Sequence, residues 1–135
     1  MTTRLILMFL LISSSIYAQI DCGKYPDKYV PIDLEDALHY LDCKWSESDK
    51  DVFKNKPENE AVTELHFGTG MGIRNNWRLW KGDSGIAKYF RNFGINHPDD
   101  MSSIVLTSFH RYLNKMDIKL EDQVKYYKDY WEKFK

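Results

Sequence analysis

An excess of charge of one sign is nearly missing from this chain. Lys and Arg number 19 against 20 Asp and Glu, a formal net charge of −1, so no strong field draws it to nucleic acid or to an anionic membrane surface. Phosphate-binding sequence is missing too. No GKS or GKT follows Gly68, Gly70 and Gly72, and their spacing fits neither a P-loop nor a dinucleotide fingerprint. No two histidines have the HxxxH spacing of a zinc helix, and Ser102, Ser103 and Ser108 stand in no nucleophile elbow. Alternating strand runs, internal repeats and low-complexity segments are absent as well, which leaves an all-α reading.

One apolar run is present, and it lies at the start. Arg4 precedes Leu5 to Ile12, then three serines and Ile16-Tyr17-Ala18, the layout of a cleavable export signal. The run is too short to span a bilayer, for which about twenty residues are needed. Cleavage is expected near Ala18, although Ile16 is bulkier than such sites prefer. Lipid attachment at Cys22 is disfavoured, because Gln19-Ile20-Asp21 is not the small, uncharged approach it needs. The expected organisation is a leader over 1–18, an extended lead-in over 19–32 and one helical domain over 33–135. Its place is outside the cytoplasm, periplasmic or secreted, with no membrane span once the leader is gone. Export puts Cys22 and Cys43, the only cysteines, where a disulfide persists and would tie the new N-terminus to the first helix.

Helical periodicity and capping residues predict about six helices in one compact bundle. Asp33 caps the first, with Leu34, Ala37, Leu38 and Leu41 on one face and Cys43 opposite. Ser46 or Ser48 caps a short second helix containing Val52 and Phe53. Pro57 opens a third, whose face Val62, Leu65, Thr69, Ile73, Trp77 and Trp80 keeps its spacing through three glycines. That continuity favours an unbroken or kinked helix, with Gly68 and Gly72 letting another helix approach closely and both tryptophans in the core. A fourth runs from Asp83 or Ser84 to a stop at Gly94, and a fifth begins at His97-Pro98. The last, Leu120 to Phe134, has the cleanest apolar stripe: Leu120, Val124, Tyr127, Trp131 and Phe134.

The polar residues open to chemistry are few. Arg74 offers charge to an anion, and Asn75 and Asn76, poor helix-interior residues, offer hydrogen bonds to a ligand or to a neighbouring loop. His66, His97 and His110 are the acid–base or metal candidates, but Asp99 and Asp100 already serve the helix start behind Pro98. His110 falls on the polar side of its helix wheel, beside Arg111. These residues call for no cofactor and no metal.

The blocks His66 to Trp80, Lys88-Tyr89-Phe90, His97 to Ser102 and Thr107 to Leu113 resemble the recurring pattern of a family of small uncharacterised bacterial domains. The resemblance spans roughly residues 33 to 124. It implies that His66, Arg74, Asn75, Asn76, His97, Asp99, Asp100, His110 and Arg111 form one polar constellation, without saying whether that is a site or an internal network. Three functions stay open. The leading one is a non-enzymatic module presenting the Arg74-Asn75-Asn76 region to an envelope protein or a small anionic ligand. The second is a hydrolase using His66, His97 or His110 as base and Arg74 as anion binder. The third is a structural envelope domain.

Overall fold

The computed structural model describes residues 19–135, and the leader expected over 1–18 lies outside the described residues. Among the described residues seven α-helices follow one another: α1 Leu34–Lys44, α2 Glu47–Asn55, α3 Glu58–Glu64, α4 Met71–Asn76, α5 Gly85–Asn92, α6 Pro98–Leu113 and α7 Leu120–Glu132. A short 3-10 turn, Cys22–Lys24, precedes them, and a π-helical turn, His66–Gly70, joins α3 to α4. No strand occurs among the described residues, and no helix there is long and apolar enough to cross a membrane.

The boundaries follow from local chemistry. Asp33 caps α1 by accepting from Asp36 N, Ser46 caps α2 by accepting from Asp49 N, and Ser84 caps α5 by accepting from Ala87 N. Pro98 occupies the first turn of α6, where a missing N–H costs nothing. Gly94, in the left-handed region at φ 82°, ends α5.

The lead-in is fastened rather than loose. Cys22 and Cys43 are joined by a disulfide, with their Cα atoms 5.5 Å apart. In the chain-entropy model, closing a loop of that size stabilises the fold by about 3 kcal/mol. Beside it, buried Asp36 accepts from Tyr25 Oη (3.0 Å), Tyr29 Oη (2.7 Å) and Ile32 N (3.1 Å). Burial pushes the Asp36 carboxyl up, but these donors and Lys24 outweigh it and hold it below the ordinary value. The same bond to Asp36, helped by burial, raises the Tyr29 phenol to about 12.

The core is organised around α6, on which α1, α2, α3, α4 and α7 all pack. Met101, Ile104, Val105, Leu106 and Phe109 are fully enclosed, and Phe109 sits against Trp45 and Phe53. A helix ringed in this way has almost no solvent side, so its polar residues must find protein partners.

Several expectations are corrected here. Helical backbone does run through the glycines, but by a π turn, with Gly70 N donating to Leu65 O five residues back. No helix approaches Gly68 or Gly72: a Cβ on Gly68 would meet nothing within 4 Å, and one on Gly72 only the amide of Asn76. Trp77 is in the core, whereas Trp80 is 58% exposed. Val52 is exposed while Phe53 is buried. His110 is buried, because α6 has neighbours on the side its wheel leaves polar. In α7, of the expected stripe only Val124 is buried; Trp131 and Phe134 lie largely beyond the edge of the core.

Candidate functional site

The residues singled out from the sequence fall into separate groups, and α6 supplies a partner to most of them. Arg74 projects inward from α4. Its guanidinium donates to Ser102 Oγ (2.8 Å) and to His66 O (3.0 Å), and its Nε lies 3.3 Å from Asp99 Oδ1. Ser102 in turn donates to Asp99 O (3.0 Å), and the His66 ring stands 3.8 Å from Asp99 Oδ1. His66, Arg74 and Asp99 are thus brought together around Ser102. Arg74 is buried, so its hydrogens are directed into the protein rather than toward a ligand.

A second group joins α6 to the α2–α3 junction. His110 Nε2 lies 2.9 Å from Lys56 O, with its ring edge-on to Phe53 and its Nδ1 3.9 Å from Glu58. The backbone oxygen can only accept, so Nε2 carries the proton and donates. Arg111 makes a two-pronged pair with Glu58, both contacts at 2.8 Å, and also donates to Ile118 O. The hydrogen bonds from Arg111, against the opposing effect of burial, hold the Glu58 carboxyl below its ordinary range.

The third group lies at the start of α6. The ring of His97 stacks on Trp131 at 3.7 Å between centroids, and Trp131 Nε1 donates to Asp100 Oδ2 (2.7 Å). Burial raises the Asp100 carboxyl, with the Trp131 bond acting against it. Two further ties complete the pattern: Gln123 Nε2 donates to Ser108 Oγ (3.1 Å), and Tyr112 Oη donates to Asp42 Oδ2 (3.0 Å). From Asp100 to Tyr112, α6 therefore binds α1, the α2–α3 junction, α3, α4 and α7 through polar side chains. Each neutral tie contributes about 1 kcal/mol and each charged one about 1.5–3.

Asn75 and Asn76 stand apart from this network. Asn75 is exposed and accepts from Trp80 Nε1 (3.0 Å). Asn76 is exposed and lines a cleft of about 460 Å³ with Tyr29, Tyr40 and Trp77. The sequence reading missed Ser102, Ser108, Glu58, Asp42 and Gln123. A serine at an inward position of a strongly apolar helix was the available signal, since a buried hydroxyl requires a partner.

The central segment has an outer face of a different kind. Phe67 is 77% exposed and Met71, one turn on, is 42% exposed. After α4 the chain turns at Arg78, which takes the left-handed region at φ 57°, with Leu79 N bonded back to Arg74 O and Arg78 N to Asn75 O. This is the Schellman pattern that closes a helix. It buries Leu79 and sends Trp80 outward, and the two-pronged pair of Arg78 with Asp83 (2.8 and 2.5 Å) braces it.

A family model described as a domain of unknown function (DUF6794) matches residues 30–113, well over half of the chain. The chain belongs to this family. The match takes in α1 to α6, and with them the outer face of the π turn and α4 and the α6 network except its α7 partners Gln123 and Trp131. No curated protein and no solved structure matches the chain. Among the described residues, no group of three or more His, Cys, Asp or Glu is placed to hold a metal ion.

Proposed function

We propose that this family member is an exported, non-enzymatic binding module, and that it docks a partner protein on the outer face formed by Phe67, Met71, Asn75 and Trp80. The observation that carries the reading is the exposure of three large apolar side chains along one short segment, with the Trp80 indole fixed by Asn75. Exposed aromatic and methionine side chains held rigidly are the anchors of protein interfaces. Several of the residues on which acid–base chemistry would depend favour the same reading, although His66 and His97 are not buried. Arg74 and His110 are enclosed, and Arg111 is taken up by Glu58.

The partner chemistry follows from size and polarity. The exposed parts of three side chains amount to a few hundred Å², well short of the roughly 800 Å² per partner that a stable dimer buries. That favours a short peptide segment over a second copy of this chain. The Asn75 amide group has free N–H donors beyond its bond to Trp80, suited to a backbone carbonyl next to an apolar anchor side chain. Export is supported by the disulfide, a bond that persists in oxidising compartments.

A peptide-display selection on the oxidised protein tests this. Peptides sharing an apolar anchor should be enriched, and Phe67→Ala and Trp80→Ala should each weaken their binding about tenfold or more at unchanged fold. Selected peptides that bind both variants as well as the parent, or no enrichment at all, would overturn the reading.

A further inference from the structure

A groove of about 490 Å³ opens between α3, α6 and α7. Its size lies within the ~300–1,000 Å³ range of small-molecule sites. Val62 and Tyr127 give the groove apolar lining, and two polar ladders face each other across it. Asn59, Thr63 and His66 come from α3 and the start of the π turn, and Ser103, Thr107 and Arg111 from α6. Both sets recur at about one helical turn, so each lines one wall.

The α3 and α6 walls are tied at one end by the Arg111–Glu58 pair, and beyond it the hydroxyl and amide groups are not bonded across the groove. Asn59, Thr63 and Thr107 make no side-chain hydrogen bond among the described residues, unlike the serines of the α6 network. Two threonine hydroxyls and an amide are therefore held on rigid helices with donors and acceptors open to the groove. Tyr126 of α7, 66% exposed, supplies an aromatic ring at the rim, set perpendicular to Tyr127.

The charges in the walls cancel. Arg111 is paired with Glu58, and the remaining ionic residues, Lys119 and Asp122, are of opposite sign. The one guanidinium is taken up by Glu58, and the single ammonium of Lys119 and the single further carboxylate of Asp122 form no cluster for an anion or a cation. What remains is a neutral site rich in hydroxyl and amide groups beside an aromatic face. A sugar ring matches it, because its hydroxyls both donate and accept while its C–H face packs on an aromatic ring.

We infer that the groove between α3, α6 and α7 binds a neutral sugar, with Asn59, Thr63 and Thr107 holding its hydroxyls and Tyr126 covering its apolar face. This site is separate from the Phe67–Trp80 face, and either can fail without the other.

The test is a titration of the oxidised, isotope-labelled protein with maltose, cellobiose and N,N′-diacetylchitobiose, followed by amide chemical shifts. Inorganic phosphate and triglycine serve as non-sugar probes. At least one disaccharide should give saturable shifts confined to the groove amides. Thr107→Val, which removes a hydroxyl at nearly constant shape, should weaken that binding about tenfold, the loss of one hydrogen bond of roughly 1.4 kcal/mol. Tyr126→Ala should weaken it at least as much, and its exposed position keeps it from disturbing the fold. Absence of groove shifts with every sugar would overturn the inference. So would sugar binding unchanged in both variants, or saturable groove binding of phosphate or triglycine in place of sugar.

Discussion

Trp77 and Trp80 are three residues apart and have opposite surroundings. The first is 2% exposed, packed edge-on to Tyr40 and enclosed by the core; the second is 58% exposed and held by a single hydrogen bond to Asn75. The difference extends along the whole segment from His66 to Trp80. Gly70, Ile73, Arg74, Trp77 and Leu79 face inward and bear on stability, whereas Phe67, Gly68, Met71, Asn75 and Trp80 face outward with little to hold up inside. One stretch of sequence thus carries a structural face and an interaction face, and a run of polar and aromatic residues does not by itself say which residue belongs to which.

The largest effect should come from breaking the inner face. Trp77→Ala is expected to cost about 3–5 kcal/mol through lost burial and a cavity, whereas Trp80→Ala should stay within about 0.5 kcal/mol. Paired denaturant unfolding curves check this. Arg74→Ala follows at about 2–4 kcal/mol, because it empties a buried space and strips Ser102 and His66 O of their donor. Arg74→Lys should recover only part, since one ammonium cannot reach the positions of a planar fork.

Two glycines sharpen the comparison by sign. A Cβ on Gly70 would stand 3.1 Å from Arg74 Nη1 and 3.2 Å from Leu65 O, both fixed by other bonds, so Gly70→Ala should destabilise. Gly68 faces open space, so Gly68→Ala should stabilise by up to about 1 kcal/mol through helix propensity. Thermal melts of the two variants should move in opposite directions.

The smallest predicted effect concerns two buried carboxylates. Asp36, held by donors from several sides, has its pKa below the ordinary 3.8. It contributes stability above that value and loses it as pH falls through its folded pKa. Asp100 has a single donor, Trp131, and its pKa lies above 3.8. Its charge is therefore a burden at neutral pH, relieved as pH falls through its folded pKa toward 3.8. Accordingly, at pH 7 Asp36→Asn should lower stability and Asp100→Asn should slightly raise it, read from melting temperatures between pH 3 and 7.

The helices themselves were largely legible, because caps and periodicity are local. Asp33, Ser46 and Ser84 cap where expected, Leu34, Ala37, Leu38 and Leu41 are buried together, and Cys22 meets Cys43. About six helices were expected and seven occur among the described residues, the Val62–Trp80 stretch dividing into α3, the π turn and α4. What periodicity could not convey was how those elements face one another. The π turn inserts an extra residue into the helical count, and the left-handed Arg78 reverses the chain, so a face extrapolated at 3.6 residues per turn sent Trp80 inward. His110 was placed on the polar side of its helix, and its burial was not foreseen, because a helix wheel shows only its own residues and not the neighbours that close over α6. The same blindness hid Glu58, which reaches Arg111 from 53 positions away, and let the α7 stripe look like core although Phe134 is 68% exposed.

One paired measurement on Trp80→Ala reads whether the outer face is free of structural duty: melting temperature together with affinity for a peptide selected on the parent protein. The prediction is a melting temperature within about 2 °C of the parent and affinity weakened about tenfold or more. A fall in melting temperature with affinity retained would contradict it.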